Sequence, residues 1–492
     1  MEAAVVSPLS EREVARLQVR AETDYLPVVA LLVREVGRRL GLSERALHEL
    51  EHAVDEAATN IVQHAFEPGE RGEYTVRLLR RPGRVVVALE DQGIPFDLEK
   101  FHRGEGTGLG RRFLEVYADR WNLSYLGARG KRLEIVKELP HTDARDHYRP
   151  EELSDLRGAE PAPPDEPLTL RLMQPQDAVA LARCVYRTYG YSYTSEYIYY
   201  PERTRDMLAS GEMTSCVAVN PAGEIVGHIA LIRHHPRAKV AESGQALVDP
   251  RYRGRGLFKK GKLFLVEQAR KMGLYGLFSE SVTVHPYTQK GNLSLGAKET
   301  GLLLGYVPRR IEFKRVAGGR QVQRQTVVLY YLPVSPAPRR RVWLPPHHAG
   351  IIRELWRACG LEREGRIPEP APESAQTHLE VKVRPEWGHA FIAVEEAGAD
   401  LVEQVHRQLE ELCAQELKCI YLDLPLARAP AVARCAELEG LGFFFAGLLP
   451  EMHPSGDVLR LQYLHHLNLD LERVVLVSEL GRRLMAYIRE RM

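Results

Sequence analysis

The sequence predicts an α/β (α+β) protein, with an N-terminal α/β sandwich followed by two tandem α/β domains built to one plan. Three observations carry this expectation. At 492 residues the chain is too long for one hydrophobic core, and length alone suggests about three domains. Two stretches, PHTDARDHYRPEELSDLRGAEPAPPDEP after Leu139 and PVSPAPRRR at Pro333 to Arg341, are rich in proline and charge. They hold too few large aliphatics to order themselves. The parts on either side of the second stretch then echo each other. PQDAVALARCVYRTYG (Pro175 to Gly190) matches PHHAGIIRELWRACG (Pro346 to Gly360), each an amphipathic helix pattern from a proline to a glycine stop. GLLLGYVP with QTVVLYYLP matches GLGFFFAGLLP with DVLRLQYL. The expected divisions are 1–139, a linker 140–167, 168–333, a linker 334–341, and 342–492.

Composition removes several classes of function. Hydrophobic and charged fractions of 44% and 27% are those of an ordinary globular chain, and a net charge of +1 offers no general attraction to polyanions. Direct nucleic-acid and membrane partners are therefore not expected. The six cysteines, none before Cys184, form no CxxC pair and read as reduced, mostly buried thiols. The first residues, MEAAVVSPLSEREVAR, lack the apolar core of a signal peptide. No apolar run approaches the ~20 residues of a membrane span, so a cytoplasmic location is expected.

In the first part, EHAVDEAATNIVQHAF (Glu51 to Phe66) is helical in pattern. It sets Glu56, Asn60 and His64 on one face and Val54, Ala58, Ile61 and Ala65 on the other. Two strand-like runs joined by Pro-Gly follow, ending in DQGIPFD, Asp91 to Asp97. A carboxylate at a strand end accepts from an exocyclic amine such as that of adenine, and a glycine lets a ring approach the backbone; a plain turn uses the same residues. GEGTGLG, Gly104 to Gly110, then runs into the helix RRFLEVYAD. Exposed backbone amides at a helix start suit a polyphosphate. The loop lacks both the Lys-Ser/Thr ending of a P-loop and the upstream strand of a Rossmann turn.

These three elements, in this order, resemble the ATP-binding domain of the GHKL superfamily over roughly Leu17 to Leu139. EAATNIVQHA is similar to the N box, DQGIPFD to the first glycine box and GEGTGLG to the second. The short domain, the lack of a preceding phospho-acceptor helix and Pro95 in the first glycine box place the resemblance closest to the anti-sigma-factor serine kinases. The resemblance implies that Glu56 is the catalytic base and that Asn60 holds the Mg²⁺ bridging the phosphates of ATP. It further implies that Asp91 recognises adenine, that Gly93 allows its approach, and that Gly106, Gly108 and Gly110 form the lid. Arg111 and Arg112 add charge there, while His64 reads as structural.

The second part holds a different anion cradle. A strand-like run containing Leu247 and Val248 leads through Asp249-Pro250 into Arg251-Tyr252-Arg253-Gly254-Arg255-Gly256 and an amphipathic helix. Backbone amides around the glycines, with the arginines, Lys259 and Lys260, suit a pyrophosphate; a basic solvated turn has the same composition. No aromatic platform or helix-turn-helix pattern for nucleic acid accompanies it. The run resembles the GNAT N-acetyltransferase signature, with Arg251, Gly254 and Gly256 in the marked positions. The implied ligand is acetyl-CoA or another acyl-CoA, its pantetheine pairing with the strand that ends at Val248, and the implied chemistry is acyl transfer to an amine on a small molecule or protein. The tyrosine acid of many members falls at Gly301 here, so Glu242, Tyr287 and His285 are the remaining catalytic candidates.

In the third part the position of the cradle reads EEAGADLVEQVHRQLEE, without arginines or G-x-G. Acidic groups there repel a pyrophosphate, so this copy is expected to be degenerate. Three readings of the whole stay open at this point. One is a bacterial regulatory fusion of an anti-sigma-type serine/threonine kinase domain with an acyltransferase, acting on a STAS-type anti-anti-sigma protein or engaging a sigma factor. The others are a non-catalytic nucleotide switch joined to an acyltransferase, and an acyltransferase alone.

Overall fold

The computed structural model describes residues 12–67, 72–81, 83–94, 109–126, 129–140, 161–190, 193, 196–233, 238–309, 323–368, 376–384 and 387–492. Two compact units emerge. The first comprises Met1–His141, Glu373–Arg384 and Ala390–Leu417, the second Thr142–Pro372, Pro385–His389 and Lys418–Met492.

The first unit opens with β1 (Arg12–Arg20), α1 (Leu26–Arg39), α2 (Glu44–His64), β2 (Glu73–Arg81), β3 (Arg84–Asp91), α3 (Leu109–Tyr117), β4 (Arg120–Tyr125) and β5 (Lys131–Glu138). Its strands form an antiparallel sheet ordered β1-β2-β3-β5-β4. The start of α2 is fixed by Ser43, whose hydroxyl accepts from the Ala46 amide at 3.2 Å. The apolar face expected of α2 is the buried one: Val54, Ala58, Ile61 and Ala65 join a core with Val29 and Val33 of α1 and Val76, Val85, Val87 and Leu89 of the sheet. Central β3 alternates within an almost wholly apolar run. Val85, Val87 and Leu89 belong to that core, and Val86 and Ala88 to a smaller cluster with Leu79 and Val136.

Further along the chain come β6 (Thr169–Leu172), α4 (Ala178–Tyr189), α5 (Pro201–Ala209), β7 (Met213–Val219), β8 (Ile225–Ile232), β9 (Val240–Val248), α6 (Leu257–Lys271), β10 (Gly276–Val282), α7 (Tyr287–Ser294), β11 (Lys298–Val307) and β12 (Gln325–Pro333). After them lie β13 (Arg340–Trp343), α8 (Ala349–Ala358), β14 (Arg363–Arg366), β15 (His378–Arg384), β16 (His389–Glu396), α9 (Leu401–Ala414), β17 (Cys419–Pro425), α10 (Ala429–Ala433), α11 (Cys435–Glu439), β18 (Phe444–His453), β19 (Gly456–Leu464) and α12 (Glu479–Arg489). Of these, β15, α9 and all of β16 but His389 belong to the first unit.

Within the second unit the strands run β17-β19-β18-β11-β12-β10-β9-β8-β7-β6. The order is palindromic about β11 and β18. Strand β10 pairs antiparallel with β12 as β17 does with β19, and the hairpins β11–β12 and β18–β19 carry the sequence echo. The hairpins meet where Gly301 faces Gly447. A Cβ on Gly301 would lie 2.4 Å from the Ala446 carbonyl oxygen, and one on Gly447 2.7 Å from the Gly301 Cα, so the strands close only over two bare positions. Among the described residues no helix is long and apolar enough to cross a membrane.

Candidate functional sites

In the first unit, Glu56 and Asn60 sit half-buried on the face of α2 opposite the core, and Asn60 Nδ2 donates to Glu56 Oε1 at 3.2 Å. With its amide nitrogen so used, Asn60 turns its carbonyl oxygen to accept, and this oxygen beside a carboxylate is a donor set that fits Mg²⁺. His64, a turn further on, is exposed. The end of β3 docks on the end of this helix, where the Ile94 amide donates to the Ala65 carbonyl at 2.6 Å. Gly93 is needed for that docking: a Cβ there would lie 2.0 Å from the same carbonyl oxygen. The glycine read as making room for a ring thus first makes room for the helix.

Asp91 is buried, and its Oδ1 accepts from the Gly93 amide at 2.9 Å and from Lys131 Nζ at 2.5 Å. Lys131 stands directly across the β3–β5 ladder from Asp91 and also donates to the Ile94 carbonyl at 3.1 Å. Sequence reading missed this lysine; the signal was a pair of cations, Lys131 and Arg132, opening a strand, but only the register assigns the partner of Lys131. Gly106 and Gly108, like Pro95, lie outside the described residues, and Gly110 falls in the first turn of α3.

In the second unit, β9 and β10 pair in parallel only from Gly276↔Val240 to Phe278↔Glu242. Beyond Glu242 they separate, β10 continuing along β12 and β9 along β8. The β8–β9 register shifts between His228 and Ala230, near Gln245 with φ +54°. The last residues of β9 border a cavity of about 160 Å³ lined in part by Tyr189, Ala246, Leu247, Val248, Arg253 and Phe258. His228 also lines it; burial pushes its imidazole down to about 4, and its nitrogens meet the Gln245 carbonyl at 2.9 Å and Ser215 Oγ at 3.1 Å.

The turn after β9 is a built feature. Gly254 and Gly256 have φ of +81° and +70°, and Gly256 caps α6, so this path into the helix requires residues without a Cβ. The arginines differ in what they do. Arg251 pairs both arms of its guanidinium with Asp249, at 3.0 Å each, and braces the turn from within. Arg255 donates to the Pro164 carbonyl at 2.9 Å, and the Ala162 amide donates to Arg251 O at 3.0 Å, so residues 161–166 are tied down on this turn. Arg253 is the arginine that lines the cavity, and Lys259 and Lys260 are exposed.

Glu242 lies where the strands part. Tyr287 is 70% exposed at the start of α7, its ring 5.4 Å from that of His285. Neither Glu242 nor Tyr287 lines the cavity, whereas Thr288 does. Glu280 of β10 was not foreseen. Burial first, and also the Glu242 carboxylate, push its carboxyl above the usual range; like Glu242, it does not line the cavity. The signal for it was an acid inside the apolar strand GLFSESV. Lys262 was missed as well. Buried in α6 and pushed down to about 8 by that burial, it bonds Asn292 and Ser279 Oγ, the latter at 3.3 Å. The vacant tyrosine position has a steric cause, since Gly301 is the bare position where β11 meets β18.

Comparison with known proteins finds two families in the chain. The histidine kinase-like ATPase domain family matches residues 19–137, and the acetyltransferase (GNAT) family matches residues 179–290. Serine-protein kinase RsbW of Listeria monocytogenes serovar 1/2a is 40% identical over 83 residues, 17% of this chain and 53% of that protein. RsbW of Listeria monocytogenes serotype 4a is 39% identical over 122 residues, 22% of this chain and 78% of that protein. The chain thus spans about half of the first relative and nearly four-fifths of the second. The ribosomal-protein-S18-alanine N-acetyltransferase of Escherichia coli is 17% identical, with 35% of this chain and 97% of that one covered at a TM-score of 0.28. The two matched families are those of ATP-binding and acyl-CoA-binding domains, fused here in one chain. Through its first domain the protein belongs to the RsbW serine-kinase branch of the histidine kinase-like ATPases, and to that domain it joins a GNAT acetyltransferase domain.

Proposed function

We propose that this is a cytoplasmic bacterial regulatory protein that binds an acyl-CoA in the cleft between β9 and β10, transfers the acyl group to an amine, and couples this to an ATP-binding domain of anti-sigma kinase type. The observation that carries the acyltransferase half is the parting of β9 from β10 after Glu242↔Phe278, in the strand that leads into the Gly254–Gly256 turn. In this reading residues 1–139 are the kinase domain, 168–333 the acyltransferase and 342–492 a degenerate copy. The first turn of α9 follows Asp400 and carries Glu403 where a cradle would need cations.

The pyrophosphate rests on the backbone amides of the turn, with Arg253 as its side-chain cation and Arg251 as the brace. The carboxyl of Glu280, with Glu242 beside it, takes a proton from the acceptor ammonium. The freed amine then attacks the thioester carbonyl, the C–S bond breaks, and the proton shed by the new amide nitrogen neutralises the departing thiolate. Replacing Gly254 and Gly256 together by valine forces two β-branched residues into left-handed backbone at roughly 1–2 kcal/mol each. Acyl-CoA affinity measured by calorimetry is expected to fall at least about tenfold, and undiminished affinity removes the cradle. Glu280→Gln is expected to keep acyl-CoA affinity and slow transfer by about 10²- to 10⁴-fold.

For the first domain, Asn60 and Glu56 would hold Mg²⁺, which when bound neutralises charge on the phosphates of ATP. Glu56 takes the proton of the attacking hydroxyl, a serine on a STAS-type anti-anti-sigma partner, and Asp91 meets the adenine amine through the carboxylate oxygen not engaged by Lys131. One observation favours the switch reading beside this one. A lysine already contacts the adenine-recognising carboxylate, so nucleotide exchange involves breaking or sharing an ion pair, which suits a domain that releases its partner on binding ATP.

A further inference from the structure

His347, His348, Cys435 and Glu439 converge in the second unit, with the ligand atoms of all four within 4.8 Å of one another. The local sequence explains the convergence. Pro346–His348 form one 3-10 turn leading into α8 and present two adjacent imidazoles. Cys435 and Glu439, four residues apart, share one face of α11. The Glu439 carboxylate spans both rings, Oε2 lying 2.5 Å from His347 Nε2 and Oε1 2.7 Å from His348 Nε2. His348 and Cys435 are buried, whereas the His347 side chain keeps 35% of its surface exposed.

A second observation concerns the surroundings of His348. The Tyr487 hydroxyl of α12 lies 2.7 Å from His348 Nδ1 and 3.2 Å from the His347 carbonyl, so the ring is held by a hydrogen bond on the side away from the cluster. The tautomer with its proton on Nδ1 presents the Nε2 lone pair toward Glu439, as metal ligation requires.

We propose that this cluster is a structural site for a zinc-class divalent transition metal, ligated by His347 and His348 through Nε2, by Cys435 Sγ and by one oxygen of Glu439. Two imidazoles, a thiolate and a carboxylate make a borderline-soft set that suits zinc and not the all-oxygen preference of calcium or magnesium. Four protein ligands fill a tetrahedron and leave no position for substrate. Tyr487 supplies the outer hydrogen bond that metal-bound histidines characteristically make. Bonds of about 2.0–2.3 Å set ligand separations near roughly 3.3 Å, so Glu439 withdraws by less than about 1 Å as the metal enters past His347. The thiol proton of Cys435 passes to solvent on binding.

The test uses the full chain, stripped of metal and titrated with zinc against a chromophoric chelator, or loaded with cobalt(II). The expected result is about one equivalent bound per chain, with a thiolate-to-cobalt charge-transfer band in the near ultraviolet that Cys435→Ser removes. Tyr487→Phe is expected to weaken binding by about 10- to 100-fold. His347→Asn alters only the exposed rim, so it keeps the fold testable if the Cys435 variant is unstable, and it too should weaken binding. A wild-type chain that takes up no metal, or a His347→Asn chain that binds as tightly as wild type, overturns the proposal.

Discussion

Glu56→Gln is expected to keep ATP affinity and lower phosphate transfer to a protein partner by about 10²- to 10⁴-fold. Glutamine has the shape of glutamate and still offers a carbonyl oxygen to Asn60 Nδ2, which now bonds Glu56 Oε1 at 3.2 Å, so the amide that would face Mg²⁺ stays oriented. What is lost is the ability to take a proton. Calorimetric ATP binding and a radiolabel transfer assay on the two proteins separate these effects. Transfer at the wild-type rate in the variant excludes Glu56 as base. A wild-type protein that binds ATP and exchanges partners but transfers no phosphate supports the switch reading instead.

Arg363→Met is expected to cost the second unit about 3–5 kcal/mol of stability, read from denaturant unfolding. The Arg363 side chain has no exposed surface. Its Nε lies 2.8 Å from Asp457 Oδ2, and its Nη2 lies 3.0 Å from Asp457 Oδ1 and 2.8 Å from Glu451 Oε1. Trp356 Nε1 donates to the same Asp457 oxygen at 2.8 Å, tying α8 to the start of β19. Removing the guanidinium leaves Asp457 without its buried countercharge, and Arg340 alone remains on Glu451. Arg407→Met is the control: Arg407 pairs with Glu403 on the exposed side of α9, a contact worth about 0.5 kcal/mol or less. Equal losses in the two variants would mean that the Arg363 network is not holding the fold.

The sequence was most readable where local periodicity and turn chemistry decide the outcome. The division of α2 into a Glu56–Asn60 face and a Val54–Ala58–Ile61 face follows from helical spacing alone. The strand, paired glycines and helix from Gln245 to Lys271 follow from backbone rules. The echo between the two later parts reappeared as the palindrome of hairpins around β11 and β18. Pairing between distant segments was not readable. Lys131 meets Asp91 through strand register, and Glu280 gains its raised carboxyl from burial and from Glu242 on another strand. Counting charges near the turn after β9 could not reveal that Arg251 is neutralised by its neighbour Asp249. His348 and Cys435 carry no recognisable ligand spacing, since folding alone brings their helices together.

The facing glycines at Gly301 and Gly447 reach further than packing. Any side chain at position 301 would have to push the two hairpins apart, so the strand position that the resemblance reserves for a phenol is given over to the joint. In the proposed acyl transfer, position 301 therefore offers the departing thiolate no proton, and that proton has to be supplied from another part of the site.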